Sequence, residues 1–377
     1  MKRLRVAHLT PTYFDDSSYI GGGERYVSNL VQSLQLHCAD TVDARIISFS
    51  VQSAPDRGAE TLIRDGIETT LLPNLYRRGN PMEAGNPLLW QMLSEFDVVH
   101  IHQPFSTFGS IATTIAKHLG LPVVASDLGG GGSPVILQRN TINLADALVC
   151  ISEYSASLLR PTVKAPIYVL IGPVDTRVFR PSDEPLARLP QVSCVGRILP
   201  HKGIDRVIRA LPYDLPLVVC GRVYHERYYE LLKELSVGKT VRFLTDASDT
   251  DIIDLYRTSA VNVLASTYQD VFGQVYPNPE LMGLTVIEAM ACGTPTFVSR
   301  VASLPELVIP EETGRIFNDE TQLATFFADV RDGIYPLKGS DNRCTAHVEN
   351  SFSMGAVANG LLQVYQAVLA AKSQVVA

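Results

Sequence analysis

VSCVGRILPHKGIDRVIRAL, residues 192–211, passes from a short apolar run through a loop bearing Gly196, Arg197, Lys202 and Gly203 into a second pattern. In that pattern Ile204, Val207, Ile208 and Leu211 fall at i, i+3, i+4 and i+7. The first part is the signature of a buried strand and the last is the apolar stripe of a helix. The same alternation runs outward in both directions. Strands are predicted at Val6–Leu9, Ala44–Phe49, Val98–His102, Pro122–Ser126, Ala147–Ile151 and Tyr168–Ile171, and again at Val192–Val195, Leu217–Cys220, Val241–Leu244, Val261–Ala265 and Thr296–Ser299. Helical spacing recurs at Val27, Leu30, Val31 and Leu34, and in a final helix over about Met354–Lys372 carrying Val357, Leu361, Val364 and Val368. Continuous apolar strands separated by helices mark parallel sheets covered on both faces. The fold class is α/β, in two doubly wound halves.

The chain has 377 residues, which as a soft prior gives about 2.5 domains. The segment Gly172-Pro173-Val174-Asp175, with Pro161 and Pro166 before it and Pro181 and Pro185 after it, is the expected boundary. It divides the chain into residues 1–172, 173–353 and a closing helix 354–377 that packs back on the first domain. A hydrophobic content of 46% and a charged content of 19% exclude a largely disordered chain. A net charge of -7 argues against a nucleic-acid protein but permits a local cationic groove. The six cysteines are scattered, with no C-x-x-C pair, and suit reduced buried thiols in a cytoplasmic protein. No apolar h-region follows Met1 and no stretch reaches eighteen apolar residues, so neither a signal peptide nor a membrane span is expected.

Three segments carry candidate chemistry. In Pro279–Pro295, Glu280 precedes a helix opened by Gly283, and Glu288 lies inside it. Bare amides at such a start, at Gly283, Leu284 and Thr285, make an anion site. The two carboxylates then reach different hydroxyls of one extended ligand. The spacing alone also fits two solvated glutamates near a helix start. In the 192–211 segment, Arg197 and Lys202 stand at the carboxyl end of a strand, suited to clamping a diphosphate or simply solvated. Gly21-Gly22-Gly23 precedes the first helix after a polar loop, able to present amides to a phosphate or to serve as a turn. It is not the G-x-G-x-x-G of dinucleotide sites.

The runs GGGERYVSNL, VCISEYS, VDTRVFRP, VGRILPHKGIDRVIRAL and PELMGLTVIEAMACGTPTFVSRVASLPELV together resemble glycosyltransferase family 4. The resemblance runs from about residue 5 to residue 370. It implies the GT-B fold, two Rossmann-like domains facing across a cleft. It also implies a retaining transferase that moves a sugar from a nucleotide diphosphate sugar to an acceptor hydroxyl. On these positions it implies that Arg197 and Lys202 bind the donor diphosphate, that Glu280 contacts the donor sugar and that Glu288 holds the ribose. Gly22 and Gly23 would lie against the donor phosphates, and Gly283, Leu284 and Thr285 would add helix-start amides. Many relatives place a histidine after the strand ending here in Ser126-Asp127-Leu128. Asp127 is the expected substitute at the sugar, with His102 the alternative and a turn-capping role for Asp127 the plainer one. Tyr268, Asp270 and Tyr276, in a long link before Glu280, are expected to shape the sugar or acceptor pocket.

Asp249-Thr250-Asp251 spells the D-x-D of other transferases but precedes a helical pattern and is expected to cap it. His100 and His102 alternate on one strand without a third ligand at metal spacing, so neither a metal nor another cofactor is expected. The expected partners are a nucleotide-sugar donor and a sugar, lipid-linked or small-molecule acceptor, with no nucleic acid. A weak peripheral contact with the inner membrane face rests on Asn86–Leu93 as an apolar lip, against which stands an ordinary core-facing helix. The alternatives in function are a nucleotide-sugar epimerase of the same fold and a non-catalytic sugar-nucleotide-binding subunit.

Overall fold

Runs of apolar, β-branched residues fold as strands close to where their pattern places them. They are seen in a computed structural model that describes residues 3–11, 22–50, 58–64, 66–75, 81–129, 140–184, 186–336 and 338–376. The chain divides into two units, Met1–Pro173 joined by Ser353–Ala377, and Val174–Phe352. The first unit contains β1 (Leu4–Leu9), α1 (Gly22–His37), β2 (Val42–Ser50), β3 (Glu60–Arg64), β4 (Ile67–Pro73), α2 (Leu88–Leu93), β5 (Val98–His102), α3 (Thr107–His118), β6 (Val123–Asp127), β7 (Ala147–Cys150), α4 (Glu153–Leu159) and β8 (Ile167–Val169). Its sheet runs in the order β3-β4-β2-β1-β5-β6-β7-β8. The pairings are parallel except between β3 and β4, which form an antiparallel pair at the edge.

The second unit contains β9 (Leu189–Val195), α5 (Ile204–Ala210), β10 (Leu217–Cys220), α6 (Glu226–Leu235), β11 (Val241–Leu244), α7 (Asp249–Thr258), β12 (Ser259–Leu264), α8 (Leu284–Ala291), β13 (Thr296–Ser299), β14 (Gly314–Phe317), α9 (Glu320–Arg331) and α10 (Ser340–Ser351). Its sheet is wholly parallel in the order β11-β10-β9-β12-β13-β14. Strand order therefore reverses between β9 and β12. In open α/β sheets a crevice opens at such a switch, outside the carboxyl ends of the strands.

The sequence pattern misses β3, β4 and β14. In β3 the side chains are exposed or half-buried and lack an apolar alternation, and β14, Gly314–Phe317, is short and begins with glycine. The stripe Val27, Leu30, Val31 and Leu34 is buried on α1, and Ile204, Val207 and Ile208 are buried on α5, with Leu211 just past its end. All six cysteines are buried and unbridged. The closing helix α11 (Met354–Val376) belongs to the first unit, with Val357, Leu361, Val364 and Val368 buried. By length and composition alone it is apolar enough to cross a membrane, with mean hydropathy 1.2, although its residues fall short of an unbroken apolar run.

The first sheet has two unlike faces. Ala7, Leu9, Val99, Ile101, Val123 and Ala125 point into an apolar core with Phe108, Ala112 and Leu89. The alternate positions of the same strands, on the opposite face, carry His8, His100, His102 and Ser126, all wholly buried. Register sets them side by side, His8 opposite His100 and His102 opposite Ser126. They form one chain of hydrogen bonds. Ser126 Oγ meets His100 Nε2 at 2.7 Å, and His100 Nδ1 meets Tyr365 Oη of α11 at 2.8 Å. Tyr365 Oη meets His8 Nε2 at 3.2 Å, and His8 Nδ1 meets His102 Nε2 at 3.1 Å. One proton per imidazole satisfies every link in a single direction, so all three rings are neutral.

Burial holds His8 and His100 well below the ordinary histidine range and pushes His102 down to about 3. These groups bind protons more readily in the unfolded chain, so their contribution is complete above about pH 6.5 and is lost as pH falls towards the folded values. The expected result is a urea midpoint that drops between pH 7 and pH 5, above the range where most carboxylates titrate. Tyr365→Phe should lower stability at pH 7.5 by about 1–3 kcal/mol, because two imidazole nitrogens lose their shared partner. A flat profile from pH 7 to 5 would contradict the neutral chain.

Candidate functional site

The loop that follows β9 is fixed before any ligand is considered. Pro200–Lys202 makes a single 3-10 turn, and Gly203 adopts φ 66° at the start of α5. A Cβ at Gly203 would lie 2.1 Å from the carbonyl oxygen of Ala265, so only glycine lets this loop press on the end of β12. Thr267 N donates to the carbonyl of His201 at 2.9 Å, and the rings of His201 and Tyr276 lie 4.8 Å apart. Burial, helped by the adjacent Lys202, pushes His201 down to about 4, so its ring is neutral at pH 7.

The two cations of this loop are not equivalent. Lys202 Nζ donates to Glu280 Oε2 at 2.5 Å, with only 13% and 11% of the two side chains exposed. Ser266 Oγ donates to the same oxygen at 3.2 Å. Among the described residues Glu280 Oε1 accepts no bond. Arg197 is exposed and pairs with no described carboxylate; its guanidinium stands 5.9 Å from the ring centroid of Tyr224. A paired ammonium and an unpaired guanidinium thus border the switch between β9 and β12.

The segment after Glu280 begins α8 as its pattern predicts. Gly283 takes φ 80° at the N-cap and no side chain caps the helix, which leaves the amides of Leu284 and Thr285 without intrahelical partners. A Cβ at Gly283 would meet Leu307 at 2.8 Å and Leu304 at 3.0 Å. The positive φ and these two leucines give the glycine a reason within the chain's own packing, beside the expectation that it lets an anion approach the helix start. Glu288 lies on α8, where the buried Tyr256 Oη donates to its Oε2 at 3.2 Å. Burial and that carboxylate hold the Tyr256 phenol well above its ordinary range.

In the first unit, Gly22 and Gly23 open α1. A Cβ on Gly23 would make only ordinary contacts, with Leu128 at 3.7 Å and Gln103 at 3.8 Å. Gln103 itself was not foreseen. It has φ 62°, a strained value for a non-glycine residue, and its side chain also approaches Gly129. Asp127, at the end of β6, is 3% exposed, and its Oδ1 accepts the amide of Gly129 at 3.1 Å. That is the turn-capping contact. The glycines at 130–132 and the polar loop at 12–21 lie outside the described residues. His102, the alternative to Asp127, is wholly buried, and its Nε2 meets His8 Nδ1 at 3.1 Å.

His100 and His102 do have a third histidine, contrary to expectation, because β1 lies beside β5. His8, His100 and His102 offer nitrogens within 4.8 Å of one another. They fit a metal poorly. His100 and His102 stack at 4.5 Å with planes only 20° apart, which does not aim their lone pairs at one point. His100 spends both nitrogens on Ser126 and Tyr365. Asp249-Thr250-Asp251 is a helix start as expected: Ser248 is the N-cap of α7 and closes a capping box with Asp251.

Residues 20–178 match the family described as Glycosyltransferase Family 4, and residues 179–330 match Glycosyl transferases group 1. A D-inositol 3-phosphate glycosyltransferase of Stackebrandtia nassauensis is 29% identical over 62% of this chain, and the match spans about half of that relative, 55% of its length. Among solved structures, sucrose-phosphate synthase from Thermosynechococcus elongatus superposes with a TM-score of 0.70 at 19% identity, over 98% of this chain and all of that one. Anabaena HepE in complex with UDP and glucose gives 0.66 at 16% identity, over 97% of this chain and all of that one. The fold is therefore GT-B, and the chain belongs to the family 4 glycosyltransferases.

The ion pair can be tested without a ligand. Lys202→Met leaves a carboxylate in a largely buried place and should lower stability by about 3 kcal/mol. Lys202→Met with Glu280→Gln should recover more than half of that loss in urea denaturation. Additive effects of the two changes would place the pair apart in solution.

Proposed function

We propose that this family member transfers a glycosyl group from a nucleoside diphosphate sugar to an acceptor hydroxyl, with retention at the anomeric carbon. The observation that carries the reading is Arg197, unpaired among the described residues, at the same switch point as the Lys202–Glu280 pair. On an acidic protein, that guanidinium and the uncapped start of α8 are donors aimed where a diphosphate gathers charge. As the sugar leaves, negative charge grows on the diphosphate. Fixed donors at that position usually lower such a barrier more than any other single effect. Glu288 accepts the ribose hydroxyls in this reading, and Glu280 turns its open Oε1 to the sugar. Lys202 then serves both ends, tethering Glu280 while lending its charge to the phosphates.

No side chain is assigned as a nucleophile on the sugar. The acceptor attacks from the face the diphosphate leaves, and the departing phosphate oxygen takes its proton. Trapping of a covalent glycosyl-enzyme would overturn this step. The donor diphosphate is neutralised by Arg197, Lys202 and amides, so turnover is expected to survive EDTA. An inositol phosphate, the class in the name of the Stackebrandtia relative, is the acceptor to try first. Product from donor alone would favour an epimerase, and nucleotide binding without any transfer would favour a binding subunit.

The same reading takes the protein as cytoplasmic, on its buried and unbridged cysteines, and one observation speaks for weak peripheral contact at a membrane. Leu89 and Leu93 of α2 are buried, as a core-facing helix requires, while Met82, Leu88 and Trp90 are exposed. Co-sedimentation with anionic vesicles, lost in Trp90→Ala, tests it.

The leading test is a thermal-shift panel of UDP, GDP, ADP, dTDP and CDP. One base-selective ligand at about 100 times its Kd should add about 2.7 kcal/mol of stability. Arg197→Ala should abolish the shift. Gly23→Ala, which the fold accommodates, should keep the unliganded Tm within about 2 °C yet weaken nucleotide-sugar binding about tenfold or more, through blocked approach to the α1 amides. Silence of every nucleotide in calorimetry at millimolar concentration would overturn the transferase reading.

A further inference from the structure

Fourteen positions separate Ser266 from Glu280, yet their side chains touch. The intervening residues fold on themselves. Gln269 and Val275 bridge antiparallel, Tyr276 N donates to the carbonyl of Tyr268 at 2.8 Å, and Asp270 N donates to that of Gln274 at 3.0 Å. The hub is Asp270, 7% exposed. Its Oδ1 accepts the amides of Phe272 and Gln274, and its Oδ2 accepts the Tyr276 hydroxyl at 2.9 Å. The tip stacks Phe272 on His225 at 5.5 Å under the guanidinium of Arg227 at 4.7 Å. The hairpin thus returns the chain to its starting point and delivers Glu280 beside Ser266.

At that point one buried hydroxyl meets the carboxylate and two more hold the backbone around it. Ser266, Ser299 and Ser303 are all 1% exposed or less. Ser299 Oγ donates to the carbonyl of Ser266 at 2.7 Å, which fixes the backbone that carries the Ser266 hydroxyl. Ser303 Oγ donates to the carbonyl of Glu280 at 3.2 Å, which fixes the backbone that carries the carboxylate. Two donors, Lys202 Nζ and Ser266 Oγ, then take the same oxygen, Oε2. A lysine on a four-carbon stem holds a charge but not an angle. The second bond, from a short and buried side chain, removes the rotation the first one leaves.

We propose that Ser266 is a positioning residue that fixes the Glu280 carboxylate so that Oε1 faces the donor sugar, and that the Tyr268–Tyr276 hairpin exists to close this contact. The inference rests on the transferase reading for its activity test, and on geometry alone for its structural test. Ser266 is wholly buried and its hydroxyl is spent on Glu280 Oε2, so in the transferase reading its loss acts on the sugar step and spares nucleotide binding.

The experiment uses the full chain and the nucleotide sugar selected by the panel above. Ser266→Ala should lower kcat for transfer about tenfold, the worth of one charge-assisted bond. The KM for nucleotide sugar and the Kd of the free nucleoside diphosphate should stay within about twofold. Ser266→Thr, which keeps the hydroxyl, should restore kcat to within about threefold of the unaltered chain. A crystal structure of Ser266→Ala should show the Glu280 carboxylate turned, with Lys202 still in contact. The proposal is overturned by an unchanged kcat, by a loss that Ser266→Thr shares in full, by an equal loss of nucleotide affinity, or by an unmoved carboxylate. A chain that binds no nucleotide overturns the transferase reading instead, and the carboxylate position alone then decides the role of Ser266.

Discussion

Gly203 has no room for a side chain, and much of the second unit follows from that. Its missing Cβ lets the loop after β9 lie against the carbonyl of Ala265 at the end of β12. Without this approach the ammonium of Lys202 would not reach a carboxylate carried 78 positions later. The parallel order supplies the rest, since the reversal between β9 and β12 opens a space that neighbouring helices do not fill. A glycine and a strand order together bring Arg197, Lys202, Ser266 and Glu280 to one place. No single segment of sequence could have done so.

The second unit was largely legible because parallel strands, buried on both faces, write themselves as continuous apolar runs. Leu217–Cys220 and Thr296–Ser299, both buried throughout, fall where the pattern places them, and so does the half-buried edge strand Val241–Leu244. Three strands escaped: β3, with three of its five residues facing solvent, the four-residue β14, and β4, buried but interrupted by Glu68, Thr69 and Thr70. The candidate site was legible as a set of chemistries but not as a set of contacts. Spacing could mark Arg197 and Lys202 as cations and could not say that one is paired and the other unpaired among the described residues. It marked Gly283 as a helix start and could not show that Leu304 and Leu307 also crowd the place of its missing Cβ. Ser266 carried no signal, since its role depends on a hairpin that brings two distant residues together. His8 was invisible for the same reason, being a lateral neighbour of His100 through strand register.

The two units handle buried polarity differently. In the second, buried hydroxyls and charges converge on a carboxylate with one oxygen left open. In the first, the histidine chain leaves His102 Nδ1 and the Tyr26 hydroxyl as buried atoms without a hydrogen bond among the described residues. Such a network specifies one arrangement strongly, because every alternative strands more polar atoms in a dry interior. It also joins α11 to β1, β5 and β6 by directional bonds rather than by apolar contact alone.

That joining bears on how the protein comes to be made. Tyr365 lies 265 positions beyond His100, with the whole of the second unit between them. On a ribosome the first sheet emerges early, yet its polar face lacks the phenol that completes it until the second unit has been synthesised. The second unit, continuous in sequence, needs no such wait. Domains generally fold as units as they emerge, and here the order of completion is reversed relative to the order of synthesis. The first sheet thus gains its full set of buried hydrogen bonds only once the last helix of the chain exists.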